Sequence, residues 1–253
     1  MSDLLLVVAL LVMVQGGKDV GTATCFFYSK DGIVYLVTNR HVVLDEAKGL
    51  RPDTLRVRLH TDANDLTKNV ERAIPLDRGA KPAWHVHRDY ARNGVDVAVV
   101  ELDARVTVGT VIKALNRDNF IPDQFLIAPG EDLMVVGFPR GFADTAHNLP
   151  IIRGALVASA YGVPFQGAPL FLVDANLHPG MSGSPVMTRP KNIWPDKNGN
   201  VSMMTGTPTY FLGVFSATVS VPVSPTEKEA LGLGAVWYAN LIEEIITAIS
   251  AKP

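Results

Sequence analysis

The sequence predicts an all-β protein built in two halves and closed by an α-helix. Three observations carry this expectation. Short runs of β-branched and aromatic residues recur along the chain, each bounded by glycine, asparagine, aspartate or proline. The stretch 116–129 interrupts them with proline, aspartate and asparagine and no clear period, which reads as a link between two units. Near the end the spacing changes to that of a helix, with Leu241, Ile242, Ile245, Ile246 and Ile249 on one apolar stripe.

Taken in order, Leu6 to Thr38 should hold three strands with turns at Gly16-Gly17 and Lys30-Asp31-Gly32. The first strand lies in an apolar run, Leu4 to Val14, whose eleven residues fall well short of the roughly 20 that span a bilayer. Asp3 stands where a signal peptide would carry lysine or arginine, and Val14-Gln15-Gly16 is a poor cleavage site. The run is therefore expected to be a mature strand or short helix that partners Gly21 to Ser29. Asn39 to Leu44 reads as a single helical turn, followed by the polar loop Asp45 to Pro52. Leu55 to His60 alternates apolar and polar residues as a half-exposed strand does, and another strand is expected near Val70 to Leu76. Trp84 to Tyr90 leads through an Asn93-Gly94 turn into the apolar run Val95 to Val100.

The second half repeats the pattern at Leu133 to Gly137, Ile151 to Tyr161, Leu170 to Asp174, Ser184 to Thr188, Tyr210 to Ser220 and Gly234 to Ala239. Arg189 to Pro208 is a long insertion with Asn198-Gly199 as a hairpin tip. Asn240 and Glu243 have the spacing of a capping box at the start of the final helix.

Composition narrows the function. With 47% hydrophobic and 19% charged residues the chain is a folding globule, and at 253 residues it can bury about 70–75% of its unfolded surface. A net charge of −2 leaves no basic footprint, so neither nucleic acid nor an anionic membrane is an expected partner. The single cysteine, Cys25, excludes an internal disulfide and reads as a small core residue. A cytoplasmic location is expected, with export as the alternative if residues 4–14 act as a signal segment. His85 and His87 share one face of a strand, but no third ligand accompanies them, and neither metal nor cofactor is expected.

The stretch that organises the chain chemically is His178-Pro179-Gly180-Met181-Ser182-Gly183-Ser184-Pro185. A serine between glycines on a tight turn is open to a substrate, and the backbone amides around it can converge on one point. Such a serine needs a base and a group that orients the base. His41 lies in the run Ile33 to Val43, and Asp96 opens the run Val95 to Val100. The order His, Asp, Ser excludes the α/β-hydrolase arrangement, in which acid and histidine follow the serine, and position 184 is not the glycine of that elbow. The subtilisin order fails as well, because the aspartates before His41 have no parallel α/β pattern around them.

Four blocks then carry a resemblance. Gly21 to Ser29 with Asp31-Gly32 and Val37 to Val43, Val95 to Leu102, Val135 to Pro139 with Arg153 to Val157, and Val173 to Val186 are together similar to the trypsin-like, chymotrypsin-fold serine proteases, and within them to HtrA-type bacterial peptidases. The resemblance implies two six-stranded antiparallel β-barrels with the active site between them. Residues 1–115 would carry His41 and Asp96, and residues 129–253 would carry Ser182 and the closing helix. It implies a serine endopeptidase acting on protein or peptide substrates through His41, Asp96 and Ser182, with the backbone amides of Gly180 and Ser182 as the oxyanion hole.

The same resemblance implies that substrate is bound by Asn176 and by Ser216, Ala217 and Thr218. The uncharged Asn176 disfavours arginine or lysine before the scissile bond and leaves small or apolar residues. Met181 replaces the aspartate or asparagine usual before the nucleophile, so no acceptor remains for a freed N-terminus and no proteolytic activation is expected. Ser184 replaces a glycine and is expected on the leaving-group side, where its hydroxyl would tighten or obstruct the site. No PDZ-like stretch follows the final helix, so HtrA-style oligomeric regulation is not expected. Two other readings stand beside the peptidase: a silent protease-like binding or scaffold module, and an esterase or narrow processing enzyme on the same residues.

Overall fold

The apolar run near the N-terminus opens with a single 3-10 turn, Asp3–Leu6, and continues as a strand in the interior of a sheet. In a computed structural model that describes residues 3–79, 81–224 and 226–250, Val8–Gln15 (β1) pairs with Lys18–Lys30 (β2) on one side and Thr54–His60 (β4) on the other. Ile33–Thr38 (β3), Arg40–Val43 (α1), Asn69–Pro75 (β5), the two-residue strands Asp77–Arg78 (β6) and Lys81–Pro82 (β7), Trp84–Val86 (β8), Tyr90–Asn93 (α2), Ala98–Glu101 (β9) and Ala104–Thr107 (α3) complete the first half. Its main sheet has seven strands in the order β5-β4-β1-β2-β3-β9-β8.

The second half contains Asp132–Gly137 (β10), Ile151–Val157 (β11), Leu170–Asp174 (β12), Pro185–Thr188 (β13), Ile193–Pro195 (β14), Val201–Met203 (β15), Phe211–Pro222 (β16), Lys228–Tyr238 (β17) and the helix Asn240–Ser250 (α4). Six of these strands close into a barrel, β10-β11-β12-β17-β16-β13. The protein is thus mostly β with a C-terminal helix, and the second barrel is as expected. The first half differs in detail from a six-stranded barrel. Trp84–Val86 adds a seventh strand that pairs with β9, and β5 and β8 stand at the two ends of the hydrogen-bonded order. Helix α4 packs against β8 and β9, so that end of the sheet is covered by a helix.

Period-2 alternation sends the residues of the central strands β2 and β10 to two different cores. In β2, Cys25 and Phe27 enter the interior of the first sheet, while Phe26 and Tyr28 face a cluster shared with the second barrel and α4. In β10, Leu133 and Val135 fill the second barrel, while Met134 and Val136 join the shared cluster. Strands buried on both faces read as continuous apolar runs, which is why they were legible without alternation. The insertion after β13 forms the small hairpin β14-β15 expected around Asn198-Gly199. Its Trp194 is fully buried and stacks on Phe125 of the link.

Three local expectations are corrected. Asn93-Gly94 is not a hairpin turn: α2 ends there, with Gly94 in the left-handed region at φ 66. The paired strand begins at Ala98, so Asp96 sits in the segment leading into it. Glu243 does not act in a capping box, and the Asn240 side-chain amide donates to Glu244 Oε1 at 2.7 Å. Glu243 instead receives hydrogen bonds from the Tyr28 hydroxyl and from Lys30 Nζ, the latter at 2.5 Å, tying α4 to β2.

Burial alone would raise the Glu243 carboxyl, but Lys30 and Tyr28 outweigh it and hold the group below its ordinary value. A carboxyl depressed in the folded state stabilises above the ordinary glutamate range, and that contribution disappears as pH falls through the lowered value. Thermal unfolding of Glu243→Gln beside the parent should therefore show a stability gap at neutral pH that closes as pH falls below the ordinary glutamate range. A gap independent of pH would contradict this.

Among the described residues no helix is long and apolar enough to cross a membrane, and no group of three or more His, Cys, Asp and Glu side chains is placed to hold a metal. His87 is buried. The Asp89 amide donates to its Nδ1 at 3.1 Å, which leaves Nε2 to donate to Glu244 Oε2 at 2.9 Å. Cys25 is fully buried, and burial pushes its thiol far up, as befits a packing residue.

Candidate active site

His41 is carried by α1, a single turn that is backed by its neighbour. Arg40 donates to both carboxylate oxygens of Glu46 at 2.6 and 2.7 Å and to the Leu44 carbonyl at 3.0 Å, and its guanidinium lies 4.1 Å from the Tyr90 ring centre. The Arg40 hydrogen bonds push the Glu46 carboxyl down to about 2. Bidentate geometry of this kind sets an orientation as well as a charge.

Asp96 faces His41 with both oxygens. Its Oδ2 lies 2.6 Å from His41 Nδ1, and its Oδ1 accepts the His41 backbone N–H at 2.9 Å. The Ser216 hydroxyl donates to the same Oδ2 at 2.6 Å, and Asn39 Nδ2 donates to the Asp96 carbonyl at 2.6 Å. A carboxylate held by three donors, on a backbone pinned by a fourth, has one orientation, and a histidine bonded through Nδ1 presents Nε2 outward.

The turn 178–184 approaches from the second barrel and is locked to the first by Thr24. The Thr24 amide donates to the Ser182 carbonyl at 2.9 Å, its hydroxyl donates to the Gly180 carbonyl at 2.9 Å, and that same hydroxyl accepts the Phe138 amide at 3.0 Å. The Arg140 amide holds the Pro179 carbonyl at 2.6 Å. In a trans peptide the carbonyl and the next N–H point oppositely, so this bond turns the Gly180 N–H away from Arg140. Gly180 has φ +92, and a Cβ there would lie 2.6 Å from the Phe138 carbonyl oxygen. Gly183 has φ +87, and a Cβ there would lie 2.1 Å from the Thr24 carbonyl oxygen. Both positions require glycine for conformation and for space.

Ser182 Oγ donates to the Ser216 carbonyl at 2.9 Å. His41, Gly180 and Ser182 line one cavity of about 380 Å³, so histidine, serine and the glycine of the turn open onto a common space. The trypsin-like peptidase domain family matches residues 23–192, a span that contains His41, Asp96 and Ser182.

The chain belongs to the trypsin-like peptidase family.

Among solved structures, this trypsin-like peptidase domain is similar to a serine endoprotease from Yersinia pestis, with 14% identity and a TM-score of 0.54, over 97% of this chain and 63% of that one. A second similarity is to the inactive form of a mutant of Rv3671c from Mycobacterium tuberculosis, with 18% identity and a TM-score of 0.49, over 98% of this chain and 88% of that one. At these identities the likeness to the Yersinia protein concerns the fold alone. No curated protein sequence matches the chain.

The remaining candidate residues of the peptidase domain fall into different places. Asn176 is exposed, and its carbonyl accepts Arg153 Nη2 at 2.7 Å. Ala217 and Thr218 are exposed on β16, where they pair with Ala235 and Gly234. Ser216 is buried, and its side chain serves Asp96. Met181 is fully buried in the second core. Ser184 does not reach the leaving-group side. It is fully buried, its hydroxyl has no partner, and it packs so closely on Gly137 that a Cβ at 137 would lie 2.1 Å from Ser184 Oγ. Sequence reasoning missed Thr24, Asn39 and the role of Ser216. Polar residues flanking His41 and sitting in otherwise apolar strands were the available signal.

Proposed function

We propose that this peptidase domain is an active serine endopeptidase that cuts protein or peptide chains through His41, Asp96 and Ser182. The observation that carries the reading is the 2.6 Å contact of His41 Nδ1 with Asp96 Oδ2 beside a cavity that Ser182 and Gly180 share. Asp96 keeps the Nδ1–H tautomer, leaving Nε2 free to accept a proton. The Ser182 hydroxyl rests on the Ser216 carbonyl and turns from it to His41 when substrate arrives. Oγ then attacks the scissile carbonyl carbon while Nε2 takes its proton. Negative charge developing on the carbonyl oxygen meets the amides of Gly180 and Ser182. His41 returns the proton to the leaving nitrogen, the C–N bond breaks, and an acyl ester remains on Ser182. Water, deprotonated by His41, releases the acid. Ala217 and Thr218 on β16 flank the acyl portion, and the uncharged Asn176 favours small or apolar residues before the cut.

Labelling with a fluorophosphonate probe tests this directly. Mass spectrometry should place the label on Ser182, and His41→Ala should abolish it, since an unactivated serine does not react. No label between mild acid and mild base would instead support the scaffold reading.

A further inference from the structure

The cavity beside Ser182 does more than admit solvent. It runs from Ser182 and His41 to the β1-β2 hairpin and the 45–50 loop of the first half. His41 must hand its proton to the leaving nitrogen, so the leaving fragment lies on the His41 side of the scissile bond. That is the side into which this cavity extends. Its floor is apolar: Val42 and Met13 are buried and Leu50 is half-buried.

The wall that carries Leu50 is already shaped. Asp45 and Leu50 exchange both backbone hydrogen bonds, at 2.8 and 2.9 Å, across a turn in which Gly49 takes the left-handed φ of 64. At the edge, the Asp45 carboxylate is 15% exposed and paired with Lys48 at 3.0 Å. Lys48 therefore neutralises the one anion of the pocket but offers no free cation to an acidic ligand. A preformed apolar wall binds without ordering cost, and a rim whose lysine is already paired gives an acidic side chain no partner to offset its desolvation.

We infer that this cavity selects the first residue of the leaving fragment, favouring a large apolar side chain of the leucine or methionine class and rejecting an acidic one. The inference rests on the proposed peptidase activity and adds a second selection, beyond the residue before the cut.

Acyl transfer separates the two. The protein would be acylated by a nitrophenyl ester of a blocked alanine in the presence of leucine amide, glycine amide or aspartate amide. In the transfer step the amine nitrogen attacks the ester carbon, the bond from that carbon to Ser182 Oγ breaks, and the amine proton passes through His41 to Oγ. The ratio of peptide to free acid reads occupancy of the leaving side alone. Leucine amide should exceed glycine amide by about tenfold or more, with aspartate amide weakest. Leu50→Asp should bring leucine to within about twofold of glycine, and the milder Leu50→Ala should move the ratio the same way if the charged variant fails to fold. Equal ratios, a preference for aspartate amide, or a leucine advantage untouched in Leu50→Ala would overturn the inference while leaving the peptidase standing. Absence of any ester turnover would overturn both.

Discussion

Ser182→Ala should lower peptide turnover by about a millionfold. The magnitude follows from what is removed: the oxygen that attacks, and with it the acyl ester that divides one hard step into two easier ones. The fold should survive. Ser182 loses one hydrogen bond, the 2.9 Å contact with the Ser216 carbonyl, worth about 1 kcal/mol, or about 2–4 °C in Tm for a chain of this size. Fluorogenic peptide cleavage and calorimetry on the same preparation measure the two effects separately. Adding His41→Ala to the serine variant should cost little more, because the two groups act as one unit. A Ser182→Ala protein that cleaves at even a hundredth of the parent rate would mean that another nucleophile does the chemistry.

Gly180→Val should cripple turnover with all three side chains in place. A Cβ at 180 would stand 2.6 Å from the Phe138 carbonyl oxygen and 2.7 Å from the Arg140 amide nitrogen, and the residue has φ +92. Valine cannot adopt that backbone without strain of about 1–3 kcal/mol, and it cannot share the space. The turn must then rotate, the Arg140 to Pro179 bond breaks, and the Gly180 N–H leaves the position where an oxyanion would form. Losing one such donor lowers kcat by about a hundredfold to a thousandfold. The loss should fall on kcat more than on KM, since the donor acts on charge that appears only in the transition state. Steady-state kinetics would detect it, and near-normal kcat in a folded variant would remove Gly180 from the oxyanion site.

Dependence on tertiary structure differs from residue to residue. The strands from β1 to β4 were readable because their signals are local: β-branched runs, glycine turns at 16–17 and 31–32, and alternation in Leu55 to His60. The order His41, Asp96, Ser182 was equally a property of the chain, and it separated this arrangement from other folds that use the same three groups. The glycines at 180 and 183 announced a turn of special conformation before any contact was known. The closing helix was legible from its stripe, whereas the partners of Glu243 were not. A capping box and a tie to Lys30 and Tyr28 look alike in sequence, and only packing α4 against β2 brings those donors within reach.

By itself, then, the amino-acid order determined the mostly β character, most of the strands and the closing helix, because each depends on neighbours within a turn or a strand. Tertiary structure alone decided which polar groups meet. It put Thr24 on the Gly180 carbonyl, 156 residues away, and Ser216 on Asp96, 120 residues away. It also turned Ser184 into the core against Gly137 instead of toward the substrate. Hydrogen-bond partners at such separations depend on how two sheets settle against each other, and no local period or turn signal encodes that.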